Sequence, residues 1–92
     1  MPVSGGQTAT LASVASSASS VTIFAAANGS NGRTVFNDST AVLYLAFAAT
    51  ASETAYTVQI AAGGYYEVPW NFDGPVSGIW ASANGNARTT SW

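Results

Sequence analysis

The stretch "AVLYLAFA", residues 41–48, decides the fold class. Successive side chains of a β-strand point to opposite faces, so Leu43, Leu45 and Phe47 share one face. The opposite face carries Val42, Tyr44, Ala46 and Ala48. This alternation predicts a strand whose leucines and phenylalanine face a core.

Segments on both sides of this strand also combine β-branched and aromatic residues between turn signals. The predicted strands are "SVTIFAAA" (20–27), "RTVFND" (33–38), "YTVQI" (56–60), "YYEV" (65–68) and "VSGIWAS" (76–82), with "ARTTSW" (87–92) closing the chain. No segment has a convincing helical pattern. Six to eight short strands predict an all-β fold, a small antiparallel β-sandwich or barrel that is Greek key in part.

Turn residues predict how some of these strands connect. "NGSNG", residues 28–32, contains two Asn-Gly pairs, which favour the positive φ angles of tight hairpins. We therefore expect the strands on either side of it to form a hairpin. Gly63 and Gly64 predict a turn before "YYEV", and Tyr65 and Tyr66 then point to opposite faces, one towards the core and one to the surface.

The first part of the chain has a different composition from the rest. Residues 1–18 are rich in Gly and then in Ser and Ala, with few large apolar side chains to offset the entropy of ordering. We expect a flexible N-terminal arm over 1–18 and one β-sandwich domain over 19–92. An arm of this kind can also become ordered by lying across a neighbouring subunit.

The chain has an unusually low charge for a small protein. Charged residues make up 7% of its 92 residues and hydrophobic ones 48%, with a net charge of −2, whereas a typical soluble domain is about 25% charged. It has no cysteine and no histidine, so neither disulfides nor a usual metal site can staple the fold. We expect a homo-oligomer with much of its surface covered, although hydroxyls and amides alone can keep a monomer soluble.

The same composition limits the possible chemistry. Two arginines and no lysine make no basic stripe, so we expect no direct binding of nucleic acid. Without His, Cys or Lys the usual nucleophiles, Schiff bases and zinc sites cannot be built. Glu67 and Asp73 could form a glycosidase-like pair, but we interpret them as a strand residue and a turn residue. We expect no enzymatic activity, no cofactor and no metal.

Two further expectations concern the location of the protein. No segment approaches 18 continuous apolar residues, and the N-terminus lacks the pattern of a secretory signal. We therefore expect a protein that is made in the cytoplasm and does not enter a membrane.

Aromatic residues are concentrated in the last third of the chain. Trp80, within "SGIWAS", is the predicted core residue. Tyr66, Trp70, Phe72 and Trp92 are the predicted interface residues, because Trp and Tyr offer large rigid contact areas with a polar tip. The alternatives for these side chains are core packing and a sugar-binding platform.

Three segments carry a resemblance to a known group of proteins. "NDSTAVLYL" (37–45), "YTVQIAAGGYYE" (56–67) and "GIWASANGNAR" (78–88) together resemble small structural proteins of tailed-bacteriophage virions, over roughly residues 12–90. The chain departs from that pattern at Ala48 and Ala49, where a glycine is expected, and in its ending "TTSW".

The resemblance implies a role and no catalytic residues. It implies a capsid decoration or cement protein, located on the capsid exterior, which binds the major capsid protein or other virion proteins. A neck, tail or fibre component and a carbohydrate-binding module for host attachment are the alternatives. Trp92 would then be a subunit contact specific to this chain.

Overall fold

Two four-stranded antiparallel sheets form the fold in the computed structural model, which describes residues 8–26 and 31–92. The strands in chain order are β1 (Thr10–Ala15), β2 (Val21–Phe24), β3 (Arg33–Asp38), β4 (Leu43–Ala46), β5 (Val58–Ile60), β6 (Tyr65–Val68), β7 (Val76–Trp80) and β8 (Asn86–Ser91). The described residues contain no helix. The predicted all-β class is confirmed, and two separate sheets make the fold a sandwich.

The strand order is that of a jelly roll. The first sheet has the order β1-β8-β3-β6 and the second has β2-β7-β4-β5. Each early strand pairs with a late one, β1 with β8, β2 with β7, β3 with β6 and β4 with β5. The chain is therefore arranged as a long hairpin rolled into two layers, which contains two Greek keys.

The predicted hairpin between "SVTIFAAA" and "RTVFND" is wrong. β2 and β3 lie in different sheets, and β2 pairs with β7 instead. Most of the "NGSNG" turn, together with Ala27, lies outside the described residues. The alternation of side chains predicts that a segment is a strand. Which strand it pairs with depends on how the two sheets pack against each other, and a local turn signal carries no information about that packing.

The core lies between the two sheets and matches the predicted core face. Leu43, Leu45 and Trp80 are fully buried, and Phe47 packs against them partly buried. Val35 contributes from the first sheet. The core face of Leu43, Leu45 and Phe47 and the core position of Trp80 are both confirmed. The strand is shorter than predicted, and Ala46 on the opposite face is buried as well.

β1 lies inside the segment that we expected to be an arm. It pairs with β8 over six residues, from Thr10 opposite Ser91 to Ala15 opposite Asn86. Only Val14 of this strand packs against the core. Backbone hydrogen bonds to β8 therefore order this segment, and its side-chain composition gave no sign of them.

Candidate docking surface

The outer face of the first sheet carries large apolar side chains in contact with solvent. Val35 and Tyr66 face the core, so their neighbours Phe36 and Tyr65 face outwards, and these two lie opposite each other in the β3–β6 register. Leu11 of β1 is on the same face and is 75% exposed. Exposed apolar side chains gathered on one face are typical of interaction surfaces.

Arg88 and Asp38 neutralise each other on this face, and Glu67 is the remaining charge. Arg88 lies opposite Phe36 and Ser13 in its two neighbouring strands. Its Nε donates to Oδ2 of Asp38 at 3.0 Å, and its Nη1 donates to Oγ of Ser13 at 2.6 Å. The face therefore combines apolar area with little net charge, which lowers the cost of removing it from water.

A pocket of about 290 Å³ lies at one end of the same face. Thr34 and Glu67, which are paired in the β3–β6 register, form part of it. Trp70, Trp92 and Pro69 add apolar walls. Two of the four predicted interface residues, Trp70 and Trp92, are therefore brought together from separate parts of the chain.

Backbone hydrogen bonds hold Trp92 at this pocket. The carbonyl oxygen of Trp92 accepts from the amides of Asn31 (2.8 Å) and Gly32 (3.1 Å), and its own amide donates to the Gly32 carbonyl at 3.0 Å. The indole lies against Gly32, where a Cβ atom would collide with the ring. The backbone of Trp92 is thus held in place, although the residue is 43% exposed.

Arg33 positions the loop that carries Trp70. It faces the interior and is 3% exposed, with its guanidinium donating to the carbonyl oxygens of Phe72 and Gly74. The same group lies 5.3 Å from the centre of the Phe24 ring and 5.7 Å from that of Phe72. Burial lowers the pKa of Arg33 from its ordinary value, while the nearby charge of Asp73 acts in the opposite direction.

The other two predicted interface residues are packed beneath the surface. Phe72 stacks on Phe47 with ring centres 4.7 Å apart, and Phe47 in turn meets Tyr66 at 6.3 Å. Both Tyr66 and Phe72 pack against the core, partly buried. Of the two adjacent tyrosines, Tyr65 is the one exposed to solvent.

Sequence reasoning missed three residues of this surface and the buried arginine that supports its loop. Leu11, Phe36, Tyr65 and Arg33 were not among the predicted site residues. The alternation of side chains could have placed Phe36 and Tyr65 on one face only if the register between β3 and β6 had been known. Arg33 gave no local signal, because its partners are carbonyl groups distant in sequence.

The outer face of the second sheet differs in that its aromatic side chains contact each other. Tyr44 and Tyr56 have ring centres 5.0 Å apart, and the side-chain nitrogen of Gln59 donates to the Tyr56 hydroxyl at 2.6 Å. Tyr56, at 40% exposure, is thus an exposed aromatic residue outside the first-sheet surface.

The two carboxylates considered as a catalytic pair interact with different groups, Glu67 with Tyr65 and Asp73 with Arg33. Glu67 lies on the outer face and accepts a hydrogen bond from the Tyr65 hydroxyl at 3.3 Å, and Asp73 is exposed in the loop after Trp70. Over the part of the chain that is described, no three His, Cys, Asp or Glu side chains are grouped as metal ligands. Residues 8–26 and 31–92 contain no helix with the length and apolar character needed to cross a bilayer.

Comparison with protein-family models, curated proteins and solved structures finds no match to this chain. The function must therefore be argued from the surface itself and from the resemblance in sequence.

Proposed function

We propose that this protein is a structural component of a tailed-phage virion and decorates the outside of the assembled capsid. It docks on the shell through the outer face of its first sheet, as a homo-oligomer, and reinforces the shell by covering contacts between capsid subunits. It has no enzymatic role and uses no cofactor.

The observation that carries the proposal is the exposure of Trp70 on a nearly neutral face. Trp70 is 79% exposed, yet its loop is held by the buried Arg33. The hydrogen bonds from Arg33 order the backbone of the loop that presents Trp70, and large aromatic side chains contribute most of the binding energy in many interfaces. Phe36 and Tyr65 extend the same apolar surface.

Two further features support a virion role. The jelly roll is the architecture of many viral capsid domains, and it also occurs in lectins. It therefore supports a virion role only by analogy with other proteins of this fold. The resemblance to small phage virion proteins spans "NDSTAVLYL", "YTVQIAAGGYYE" and "GIWASANGNAR", three segments that contribute strands to both sheets.

The same small contact would be repeated over the whole shell. A tryptophan side chain buries about 150–250 Å², and apolar area removed from water contributes about 25 cal/mol per Å² before the costs of association. One modest contact, repeated over many sites of a shell, can raise the resistance of the whole particle to rupture.

The location is tested by the copy number in purified particles. Quantitative mass spectrometry gives the ratio of this chain to the major capsid protein. Decoration predicts a ratio of comparable size, whereas a far smaller ratio would assign the chain to the neck, tail or fibre. Absence from the particles would overturn the virion role.

The docking face is tested with a pair of aromatic variants. Trp70→Ala should weaken binding to particles that lack this protein by about 30-fold or more, the loss typical of a central interface residue. Tyr56→Ala removes an exposed ring that lies against Tyr44 of the second sheet, away from the proposed docking face, and should leave binding unchanged. Equal binding by both variants would contradict docking through the first sheet.

A second candidate function follows from the pocket between Trp70 and Trp92. Two indoles with a carboxylate, Glu67, offer apolar faces and a hydrogen-bond acceptor to a sugar ring. This combination favours a carbohydrate-binding module for host attachment. Glycan-array binding that is lost in Trp70→Ala and in Glu67→Gln would support it, and an array without signal would exclude it for the glycans displayed.

A further inference from the structure

The four edge strands of the sandwich differ in how they are protected from pairing with another chain. Exposed edges are usually guarded by short length, a bulge, a charge or a proline. β5 has three residues, and β2 has four with a shift of register between Thr22 and Phe24. β6 carries Glu67 and is followed directly by Pro69.

β1 has none of these protective features. It is six residues long, its sequence "TLASVA" contains no charge, proline or glycine, and its pairing with β8 runs without a register shift. Its other side has no neighbouring strand among the described residues. β1 is therefore the one edge of the described sandwich that can accept another strand along its full length.

The hydrogen-bonding direction along β1 follows from one contact. The amide of Ser16 donates to the carbonyl of Gly85 at 3.1 Å, which continues the β1–β8 register by one pair. Hydrogen-bonding direction alternates along an antiparallel strand. The backbone groups of Leu11, Ser13 and Ala15 therefore point away from β8, towards the open side.

We propose that two copies of this chain pair through β1, antiparallel about a twofold axis at Ser13, to make one continuous eight-stranded sheet. Ser13 faces Ser13 of the second copy, and Leu11 faces Ala15 of the second copy. This register uses all three outward-facing residues and forms about six hydrogen bonds, two for each facing pair. A register shifted by two residues would pair fewer of the three outward-facing residues with residues of β1 in the second copy.

A second copy is the fitting occupant because β1 is uncharged. In a twofold pair, a charged residue would meet the same charge close by. β1 itself carries no charge, and Arg88, which reaches Ser13 from β8, is paired with Asp38. On the outer face the pairing covers part of Leu11, which is 75% exposed. On the inner face the pairing brings Val14 next to Ala12 of the second copy, so the apolar inner face continues across the two sheets.

This inference specifies the contact between copies in the proposed homo-oligomer and rests on that part of the proposed function. It does not depend on the shell, because the pairing is measured on the isolated protein. Loss of shell binding with an intact dimer, or the reverse, separates the two proposals.

Cysteine trapping provides the sharpest test, since the full chain has no cysteine of its own. In the proposed register the two Ser13 Cα atoms lie about 5.5 Å apart, within the range of a disulfide. The Ser13→Cys protein should therefore form a covalent dimer under mild oxidation at least about tenfold faster than Leu11→Cys. Leu11→Cys mixed with Ala15→Cys should crosslink to each other.

The association itself is tested by analytical ultracentrifugation with Ser13→Pro. Proline is tolerated on an edge strand where its amide points outwards, but it cannot donate to a second copy. We expect wild type to be dimeric and the variant monomeric, with an unchanged far-UV circular dichroism spectrum. A monomeric wild type, or equal crosslinking of Ser13→Cys and Leu11→Cys, would overturn the proposal even if Ser13→Pro fails to fold.

Discussion

Nε1 of Trp80 donates a hydrogen bond to Oδ1 of Asn37 across 3.2 Å of the interior, and both side chains are fully buried. Asn37 belongs to the first sheet and Trp80 to the second. Nδ2 of Asn37 also donates to the carbonyl oxygens of Ala41 (2.8 Å) and Ile60 (2.9 Å). One side chain therefore connects both sheets and pairs polar groups that burial would otherwise leave unsatisfied.

Removing this side chain should destabilise the protein strongly. Asn37→Ala removes the acceptor of the buried indole N–H and the side-chain donor to the Ile60 carbonyl, so we expect the free energy of unfolding to fall by about 2–4 kcal/mol. Denaturation by urea measures the change. Asn71→Ala, at an exposed position, is the control and should stay within about 0.5 kcal/mol of wild type. Equal stability of the two variants would contradict the role of Asn37.

Two glycines in turns give a matched test of backbone geometry. Gly63 and Gly85 have φ angles of 75° and 73°. A Cβ atom at Gly63 would meet open space, but at Gly85 it would collide with the Asp38 carbonyl oxygen. Gly63→Ala should cost about 1–2 kcal/mol of stability, from the left-handed backbone alone.

The corresponding change at Gly85 should be clearly worse, because the neighbouring turn must also move. We expect Gly85→Ala to lose at least about twice as much stability as Gly63→Ala. Thermal unfolding of the two proteins, recorded side by side, provides the comparison. A smaller loss at Gly85 than at Gly63 would show that the turn yields to the added methyl group.

The two arginines of the chain should differ sharply in their contribution. Arg33→Met removes the donors to the Phe72 and Gly74 carbonyls, so we expect a loss of about 1–3 kcal/mol and faster amide exchange in residues 69–75. Arg88→Met removes an exposed ion pair with Asp38, which contributes about 0–1 kcal/mol. Arg88→Met is therefore the control. Similar losses of stability in both variants would contradict the role of Arg33 in holding the loop.

The effect of Arg33→Met should not depend on pH in the neutral range. Because burial lowers the pKa of Arg33, the folded state holds this proton less tightly than the unfolded chain does. That destabilising contribution is constant well below both pKa values and diminishes only as the pH rises through the folded-state value. The stability difference from wild type should thus stay constant between about pH 5 and 9, as urea titrations across this range can check.

The sequence predicts strands well here because each strand has to alternate. Leu43 and Leu45 had to share a face, and that face had to be buried, whatever the partner strands were. The pairing of β2 with β7 could not be read in the same way, since it is decided by the packing of whole sheets. For the same reason β1 was missed, because its order comes from the backbone of β8.

The contacts of buried polar residues were also not predictable from the local sequence. Asn37 has the sequence context of a turn, and the Ala41 amide does donate to Oγ of Ser39 at 3.2 Å, as turn chemistry predicts. The buried contacts of Asn37, however, come from strands that follow later in the chain. Trp70 and Trp92 were each predicted as interface residues, but only the fold places them at one pocket.

That pocket offers a final prediction, on the contact between Gly32 and Trp92. A Cβ atom at Gly32 would collide with the far end of the Trp92 indole, which is free to move because it is partly exposed. Gly32→Ala should therefore shift the indole, change the tryptophan fluorescence and reshape the pocket, while it lowers stability by only about 1 kcal/mol.

A double-mutant cycle isolates this contact. In the Trp92→Ala background the ring is gone, so Gly32→Ala should have almost no effect on stability, and the two changes should couple by about 0.5–1 kcal/mol. The cycle is measured by chemical denaturation of the wild type, both single variants and the double variant. Additive losses would mean that the indole does not lie on Gly32 in solution. Coupling would place Trp92 at the pocket wall, against Gly32.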